Sequence, residues 1–289
     1  MARRYDTVSF LSDYGTSDEF VGVVKSVIRA IAPDAAVIDV THDVPPHDIR
    51  AGGLTLARAA QYLAPGIVLA IVDPGVGTDR RAVAVEVGEG EGVFVGPDNG
   101  LMAPAVAMTG GASRVVELTE PRFQLPAPGA TFAGRDVFAP AAAHLCAGVD
   151  LTDLGPEIDP AGLRPGLLPV SRTEGDRLVA EVLWVDRFGN VQLNLDPDDL
   201  DGFGDRVGVH AHGQVRSARR TAAYGELKGG EVGLVVDSYG LLSLALDRHS
   251  AAEVLGLDAG DEVQLDPYAD AESGGSVSVS LRPGRGDDR

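Results

Sequence analysis

Ile67-Val68-Leu69-Ala70-Ile71-Val72, followed by Asp73-Pro74-Gly75-Val76-Gly77-Thr78-Asp79-Arg80-Arg81, is the stretch around which the chain is organised. Six consecutive apolar residues, four of them β-branched, read as a strand buried on both faces, the signature of a parallel sheet. The run ends in an aspartate, then Pro-Gly and Gly-Thr punctuation, then two arginines. Ligands of open α/β sheets sit at the carboxyl ends of strands. A carboxylate and a guanidinium gathered there by a Gly-rich turn can polarise a water or hold an anion. Taken alone, the stretch fits a surface turn with a solvated Asp79-Arg80 pair equally well.

Outward from this strand the pattern alternates. Residues 7–11 form a short apolar strand ending in Ser12-Asp13-Tyr14-Gly15-Thr16-Ser17-Asp18. Ser17 or Asp18 is placed to cap a helix whose core face carries Phe20, Val23, Val24, Val27, Ile28 and Ile31. Residues 35–40 are the next strand, followed by an Ala-rich helix over about 48–63. After the central strand come strand-like runs at 82–87 and 93–95, the turn Gly96-Pro97-Asp98-Asn99-Gly100, a helix-like 101–108 and a strand at 115–118. The segment Gly134-Arg135-Asp136-Val137-Phe138-Ala139-Pro140 then leads into a small-residue helix through Ala147, in which His144 reads as a packed core histidine.

This rhythm predicts an N-terminal, mainly parallel α/β sandwich with helices on both faces. Its strands end in polar clusters at Asp13, Thr41–Asp43, Asp73 and Asp98–Asn99, which would line one edge of the sheet. Residues 155–169, rich in Pro and Gly, read as a linker. Beyond it, strand patterns at 178–185, 191–195, 206–211, 232–236, 241–246 and 262–265 predict a smaller, C-terminal antiparallel β domain. We therefore expect domains over 1–165 and 166–289, with a flexible Gly/Ser/Asp-rich tail from about 270 that includes the alternating 277–281.

Of 289 residues, 44% are hydrophobic and 23% charged, ordinary for a soluble globular chain. No apolar run approaches the ~20 residues of a membrane span, and no signal sequence is evident, so a cytoplasmic protein is expected. The net charge of −19 argues against nucleic acid, which is bound through basic patches. The single cysteine, Cys146, rules out an internal disulfide or a Cys-cluster zinc site, and its apolar setting predicts an inert buried thiol. Neither a metal nor a cofactor is expected.

Six stretches now stand in order: residues 11–18, 72–78, 96–100, 134–140, then Asp186-Arg187-Phe188-Gly189-Asn190 and Asp237-Ser238-Tyr239-Gly240. Together they resemble the S-adenosylmethionine (SAM) hydroxide adenosyltransferases, the adenosine-forming SAM hydrolases related to SAM-dependent fluorinase and chlorinase. The resemblance covers residues 7–265. It implies a homotrimer, with SAM held between the N-terminal domain of one subunit and the C-terminal domain of its neighbour. By motif position Asp13 would hold the ribose hydroxyls, and Asp18, Asp186 and Ser238 the methionine part. Phe188 and Asn190 fall in the adenine and methionine contact loop. Asn99 and Tyr239, within the matching motifs, join the substrate-binding set. Asp73 and Arg80 match two members of the family's Asp-Arg-His water-binding triad. The triad histidine would precede Gly-Arg-Asp, where this chain has Ala133, and none of the six histidines takes its place by position.

The residues suit the chemistry that the resemblance implies. A sulfonium leaves as a neutral thioether, so no general acid is needed; the task is to align an oxygen nucleophile with the ribose C5′. Asp73 would accept a proton or a hydrogen bond, and Arg80 would stabilise hydroxide character. Arg80 should also lower the basicity of Asp73, which favours positioning over strong general-base catalysis. A proton-transferring histidine typically contributes roughly 10²-fold, so its loss would slow turnover without abolishing it. Carboxylates suit the ammonium and sulfonium of SAM, and His47 is a further candidate to line the pocket. Two rival readings are a SAM-dependent halogenase, whose members carry an aromatic residue where Asp73 stands, and a SAM- or adenosine-binding protein without turnover.

Overall fold

The computed structural model describes residues 5–268; the tail from Ala269, with the alternating 277–281, lies outside them. Two compact units divide at Leu168 and Pro169.

The first unit contains β1 (Thr7–Ser12), α1 (Phe20–Ile31), β2 (Ala36–Thr41), α2 (Ile49–Ala60) and β3 (Gly66–Ile71). It continues with β4 (Ala82–Val87), β5 (Gly92–Pro97), α3 (Ala103–Met108), β6 (Arg114–Glu117), α4 (Ala139–Cys146) and β7 (Glu157–Ile158). The strands form one seven-stranded sheet in the order β2-β1-β3-β5-β4-β6-β7. Every residue of β3 is buried, and alternation explains why all are apolar. Ile67, Leu69 and Ile71 enter one core with Phe10, Ile28 and Phe138. Val68, Ala70 and Val72 enter the other with Leu56, Phe94 and Leu101. Helices α1 and α4 pack together on one side of the sheet, α2 and α3 on the other.

The sheet is parallel across β2-β1-β3-β5 and antiparallel across β5-β4-β6-β7. Only a single 3₁₀ turn, Gly88–Gly90, separates β4 from β5, and strands joined by so short a connection can only pair antiparallel. The loop after β3 therefore carries the chain past a slot that β5 later fills.

Local readings are corrected in two places. The first turn of α1 follows Glu19, with no side-chain cap from Ser17 or Asp18, and its buried residues are Val21, Val24 and Ile28 while Phe20 stays exposed. The Pro/Gly segment read as a linker is largely part of the first unit: Ile158 pairs with Val115, and the Arg164 amide donates to Asp98 at 2.8 Å. His144 packs edge-on against Phe123 at 4.9 Å, and burial lowers its pKa. Cys146 is a buried free thiol.

In the second unit are β8 (Arg172–Glu174), β9 (Arg177–Val185), β10 (Val191–Leu193), β11 (Arg206–Ala211), β12 (Gln214–Thr221), β13 (Val232–Val236), β14 (Leu242–Ala245), α5 (Ala251–Leu255) and β15 (Glu262–Pro267). Seven strands close into a barrel, β9-β10-β14-β13-β12-β11-β15 and back to β9, with β8 added as a hairpin on β9. All pairings are antiparallel except β12 with β13. Closure leaves the ring without an open edge, around a core that includes Val182, Leu193, Val209, Leu234 and Leu265. Among the described residues no helix is long and apolar enough to cross a membrane.

Candidate active site

Because β1 and β3 are parallel neighbours, with Ser12 opposite Ile71, the residues that follow them emerge side by side. Asp13 donates its amide to the Ile71 carbonyl at 3.3 Å. Two residues beyond Ile71, Asp73 meets Arg80 in a bidentate pair, Nε to Oδ1 at 3.0 Å and Nη2 to Oδ2 at 2.5 Å. The Asp73 side chain is 6% exposed and that of Arg80 13%, which excludes the reading as a solvated surface turn. Local turns build the loop that closes the pair. The Val76 amide donates to the Asp73 carbonyl, the Thr78 hydroxyl to the Gly75 carbonyl, and Gly77 takes a left-handed φ of 79°. Arg80 is held further by its Nη1 bond to the Arg81 carbonyl at 2.9 Å and lies over the Phe138 ring at 5.3 Å.

Adjacent in sequence, the two arginines divide their work. Arg81 pairs with the buried Asp98 through Nε (3.0 Å) and Nη2 (2.6 Å). Asn99 spends its side chain on the scaffold, donating Nδ2 to the Val72 carbonyl at 2.8 Å and accepting from the Leu101 amide at 3.1 Å. It thereby fixes the strand end that presents Asp73.

Burial pushes the Asp73 carboxyl above its ordinary range; Arg80 and a Gly75 amide pull it back, and the net shift is upward. Arg80 lowers the basicity of Asp73 as expected, but desolvation of the carboxylate outweighs the ion pair. Asp73 is a stronger base than a free aspartate.

Tyr14 joins this group and was not singled out from sequence. Burial, then Asp13 and Asp73, drive its phenol far above the usual tyrosine range, so it is a donor at every working pH. Its ring packs with Phe20 and Phe132, at 5.6 and 5.8 Å between centroids. The hydroxyl end lies against the Cα of Gly134, where any Cβ would overlap it. That glycine opens a π-helical turn, Gly134–Phe138, which runs into α4. Gly134→Ala should therefore displace Tyr14. We expect a stability loss of about 1–3 kcal/mol by overpacking and a turnover loss of at least about tenfold, read by denaturant melts and product formation. An alanine variant with wild-type stability and turnover would refute this packing.

Ala133, just before that glycine, opens with Arg80 into a recess of about 500 Å³ bordered by Thr78, Gln124, Ala130 and Val137. No other side chain of the described residues has moved in as a triad partner; Arg135 pairs with Asp136 instead, at 2.6 and 3.0 Å. Asp13 uses Oδ2 to accept the His47 amide at 2.9 Å. His47 contributes backbone here, at a left-handed φ of 67° that a non-glycine residue adopts at a cost. Asp18 is exposed on the bend before α1.

The remaining expected residues lie in the barrel unit. Asp186 accepts from the Phe188 and Asn190 amides and from Asn190 Nδ2, each at 2.8 Å, so its carboxylate shapes its own turn. The turn presents Phe188 at its tip, 79% exposed. Ser238 and Tyr239 are exposed on a turn organised by Asp237, which accepts from the Tyr239 and Leu241 amides, Gln192 and Ser243. Tyr239 packs edge-on to Trp184 at 6.4 Å. The strand register puts these two loops at one end of the barrel, since Val185 and Leu244 both pair with Val191 and Leu242 pairs with Val236; the Tyr224 phenol is raised by burial and by both Asp237 and Asp186. Among the described residues no group of three or more His, Cys, Asp or Glu is placed to hold a metal ion.

Comparison with known proteins matches this architecture. Residues 8–155 fit the family model of the SAM hydroxide adenosyltransferase N-terminal domain, and residues 180–264 that of the C-terminal domain. A relative from Salinispora tropica named (R)-S-adenosyl-L-methionine hydrolase is 43% identical, over 89% of this chain and 97% of its own. One of the same name from Thermus thermophilus is 45% identical, over 89% and 98%. More distant relatives include a fluorinase from Nocardia brasiliensis, 27% identical over 91% and 97%. The crystal structure of an uncharacterized conserved protein from Thermotoga maritima superposes with a TM-score of 0.83 at 34% identity, over 90% of this chain and 99% of that one. With both family models and full-length relatives above 40% identity, the chain belongs to the SAM hydroxide adenosyltransferase family.

Proposed function

We propose that the protein hydrolyses S-adenosyl-L-methionine to adenosine and L-methionine, by attack of a water on the ribose C5′. The observation that carries this reading is the buried, bidentate Asp73–Arg80 pair at the strand ends beside Asp13 and Tyr14. A water at Asp73 donates one hydrogen to the raised-pKa carboxylate and points a lone pair outward. As the O–C5′ bond forms, the C5′–S bond breaks, its electron pair stays on sulfur, and methionine departs neutral at sulfur. The water proton passes to Asp73 and on to solvent. Arg80 holds the carboxylate in one orientation and stabilises the developing hydroxide. A buried carboxylate at this position repels an anionic nucleophile, which favours water over halide.

Asp13, with one carboxylate oxygen fixed by the His47 amide, is assigned to the ribose hydroxyls. Asn99 supports the site from behind. Asp18, Asp186, Phe188, Asn190, Ser238 and Tyr239 are assigned to the adenine and methionine parts. The exposed Phe188 tip supports this reading, as an aromatic surface suited to cover by a flat base. A homotrimer in the cytoplasm, with no cofactor beyond the substrate, completes the proposal.

Incubation with SAM in ¹⁸O-labelled water tests it directly. We expect adenosine carrying ¹⁸O at the 5′ position together with one equivalent of methionine. Formation of 5′-halo-5′-deoxyadenosine in the presence of halide would support a halogenase, and tight SAM binding without product a non-catalytic binder.

A further inference from the structure

We infer that His42 is a positioning residue, which acts through Ser12 to fix the backbone of Asp13 and Tyr14; the inference rests on the hydrolase reading of that site. Ser12 is fully buried at the end of β1 and His42 is 6% exposed just after β2. The Ser12 hydroxyl and His42 Nδ1 are 2.8 Å apart, and His42 Nε2 lies 3.0 Å from Asp39 Oδ1. Asp39 in turn accepts from Lys25 at 2.6 Å on the surface.

The directions of these bonds follow from the partners. A carboxylate only accepts, so Nε2 carries the hydrogen toward Asp39. In the neutral imidazole Nδ1 is then the acceptor, and the Ser12 hydroxyl must donate to it. That leaves the Ser12 oxygen free to accept, and the Tyr14 amide donates to it at 3.3 Å. His42 grips the same loop a second time through its carbonyl, which accepts from the Gly15 amide at 2.8 Å. Packed edge-on against Phe10 at 4.6 Å, the ring has one orientation available.

The relay spans the loop from Ser12 to Gly15, and the two side chains it carries face the proposed site. With Ser12 fully buried and Tyr14 supplying its amide, the set reads as a directed chain of donors and not as a nucleophilic triad, since no substrate can reach the hydroxyl. Without the imidazole acceptor the Ser12 hydroxyl turns to another rotamer, the Tyr14 amide loses its partner, and Asp13 moves with the backbone between them. The Asp73–Arg80 pair is braced by its own loop and stays in place. Substrate affinity should therefore suffer more than the chemical step.

The experiment compares His42→Ala, His42→Asn and Ser12→Ala with wild type in SAM kinetics and in calorimetric binding of adenosine, with thermal melts as a fold control. An asparagine amide oxygen can occupy the Nδ1 position and accept from Ser12. We expect KM for SAM and Kd for adenosine to rise about tenfold in His42→Ala and Ser12→Ala, on the scale of a lost buried hydrogen bond. We expect kcat to stay within about threefold, and His42→Asn to return both constants to within about twofold of wild type. Unchanged constants in Ser12→Ala overturn the inference. So does a His42→Asn variant as weak as His42→Ala, or a lower melting temperature with unaltered KM and Kd. Should His42→Ala not fold, the other two variants decide. A wild-type protein that binds adenosine but does not cleave SAM would sink the hydrolase reading, while the adenosine constants would still judge His42.

Discussion

Asp73→Ala should lower kcat for SAM hydrolysis by about 10²–10³-fold, the range lost when one preorganised group that orients or deprotonates a nucleophile is removed. KM should change by less than about threefold, because Asp73 faces the water and not the parts of SAM that provide binding. Asp73→Asn keeps the shape and discards the base; it should sit near the alanine variant if proton acceptance matters, and near wild type if only orientation does. The pH dependence separates these as well. Burial raises the folded-state pKa of Asp73, so its active, ionised form is lost as pH falls through a value above that of a free aspartate. The acidic limb of the kcat profile should therefore lie above the ordinary carboxylate range and vanish in Asp73→Asn. Stopped assays quantifying adenosine across pH provide the check. Normal turnover by Asp73→Ala would sink the mechanism.

Arg80→Leu should be the most destabilising change in the site, by about 3–5 kcal/mol, because it strands a carboxylate that is only 6% exposed. The lost bond to the Arg81 carbonyl and the lost contact with Phe138 add to the effect. Turnover should fall with it, since nothing else in the loop can fix Asp73 against two oxygens. Arg80→Lys should recover only part of either quantity: an ammonium is a point charge and cannot reproduce the paired Nε and Nη2 bonds. Pairing Arg80→Leu with Asp73→Asn should restore much of the stability and none of the activity, since it removes the buried charge together with its partner. Urea melts of the four proteins measure these differences. A cost under about 1 kcal/mol for Arg80→Leu would show that the carboxylate reaches solvent and that the pair is a surface one.

Much of this site is legible in the sequence. The apolar run at residues 67–72 could serve both faces of a sheet only as a buried parallel strand, and Ile67/Val68 alternation into two cores bears that out. Polar residues after strands 1 and 3 had to emerge together once those strands were parallel neighbours. The spacing of the six motifs carried the family. The second half of the N-terminal sheet was less legible, since apolar alternation does not say which strand lies beside which, and the insertion of β5 between β3 and β4 depends on a loop length. Strand β12 was missed because its sequence, Gln-Val-Arg-Ser-Ala-Arg-Arg-Thr, buries only Ala218. A barrel strand whose inward positions are small leaves no period-2 hydrophobic signal.

By itself the sequence determined most of the strands and the acidic ends that line one sheet edge, because burial and alternation are local properties of a chain. It also placed an aspartate and two arginines in one turn. Only the tertiary structure decided that Arg81 turns away to Asp98, and that Tyr14 rests on Gly134. It alone brought Ser12 within a hydrogen bond of His42, thirty residues away. Pairings of this kind depend on which strands become neighbours and how deeply a loop is buried. Burial also raised the basicity of Asp73 beyond what Arg80 takes away, because desolvation is set by everything packed around a group and not by its neighbours in sequence.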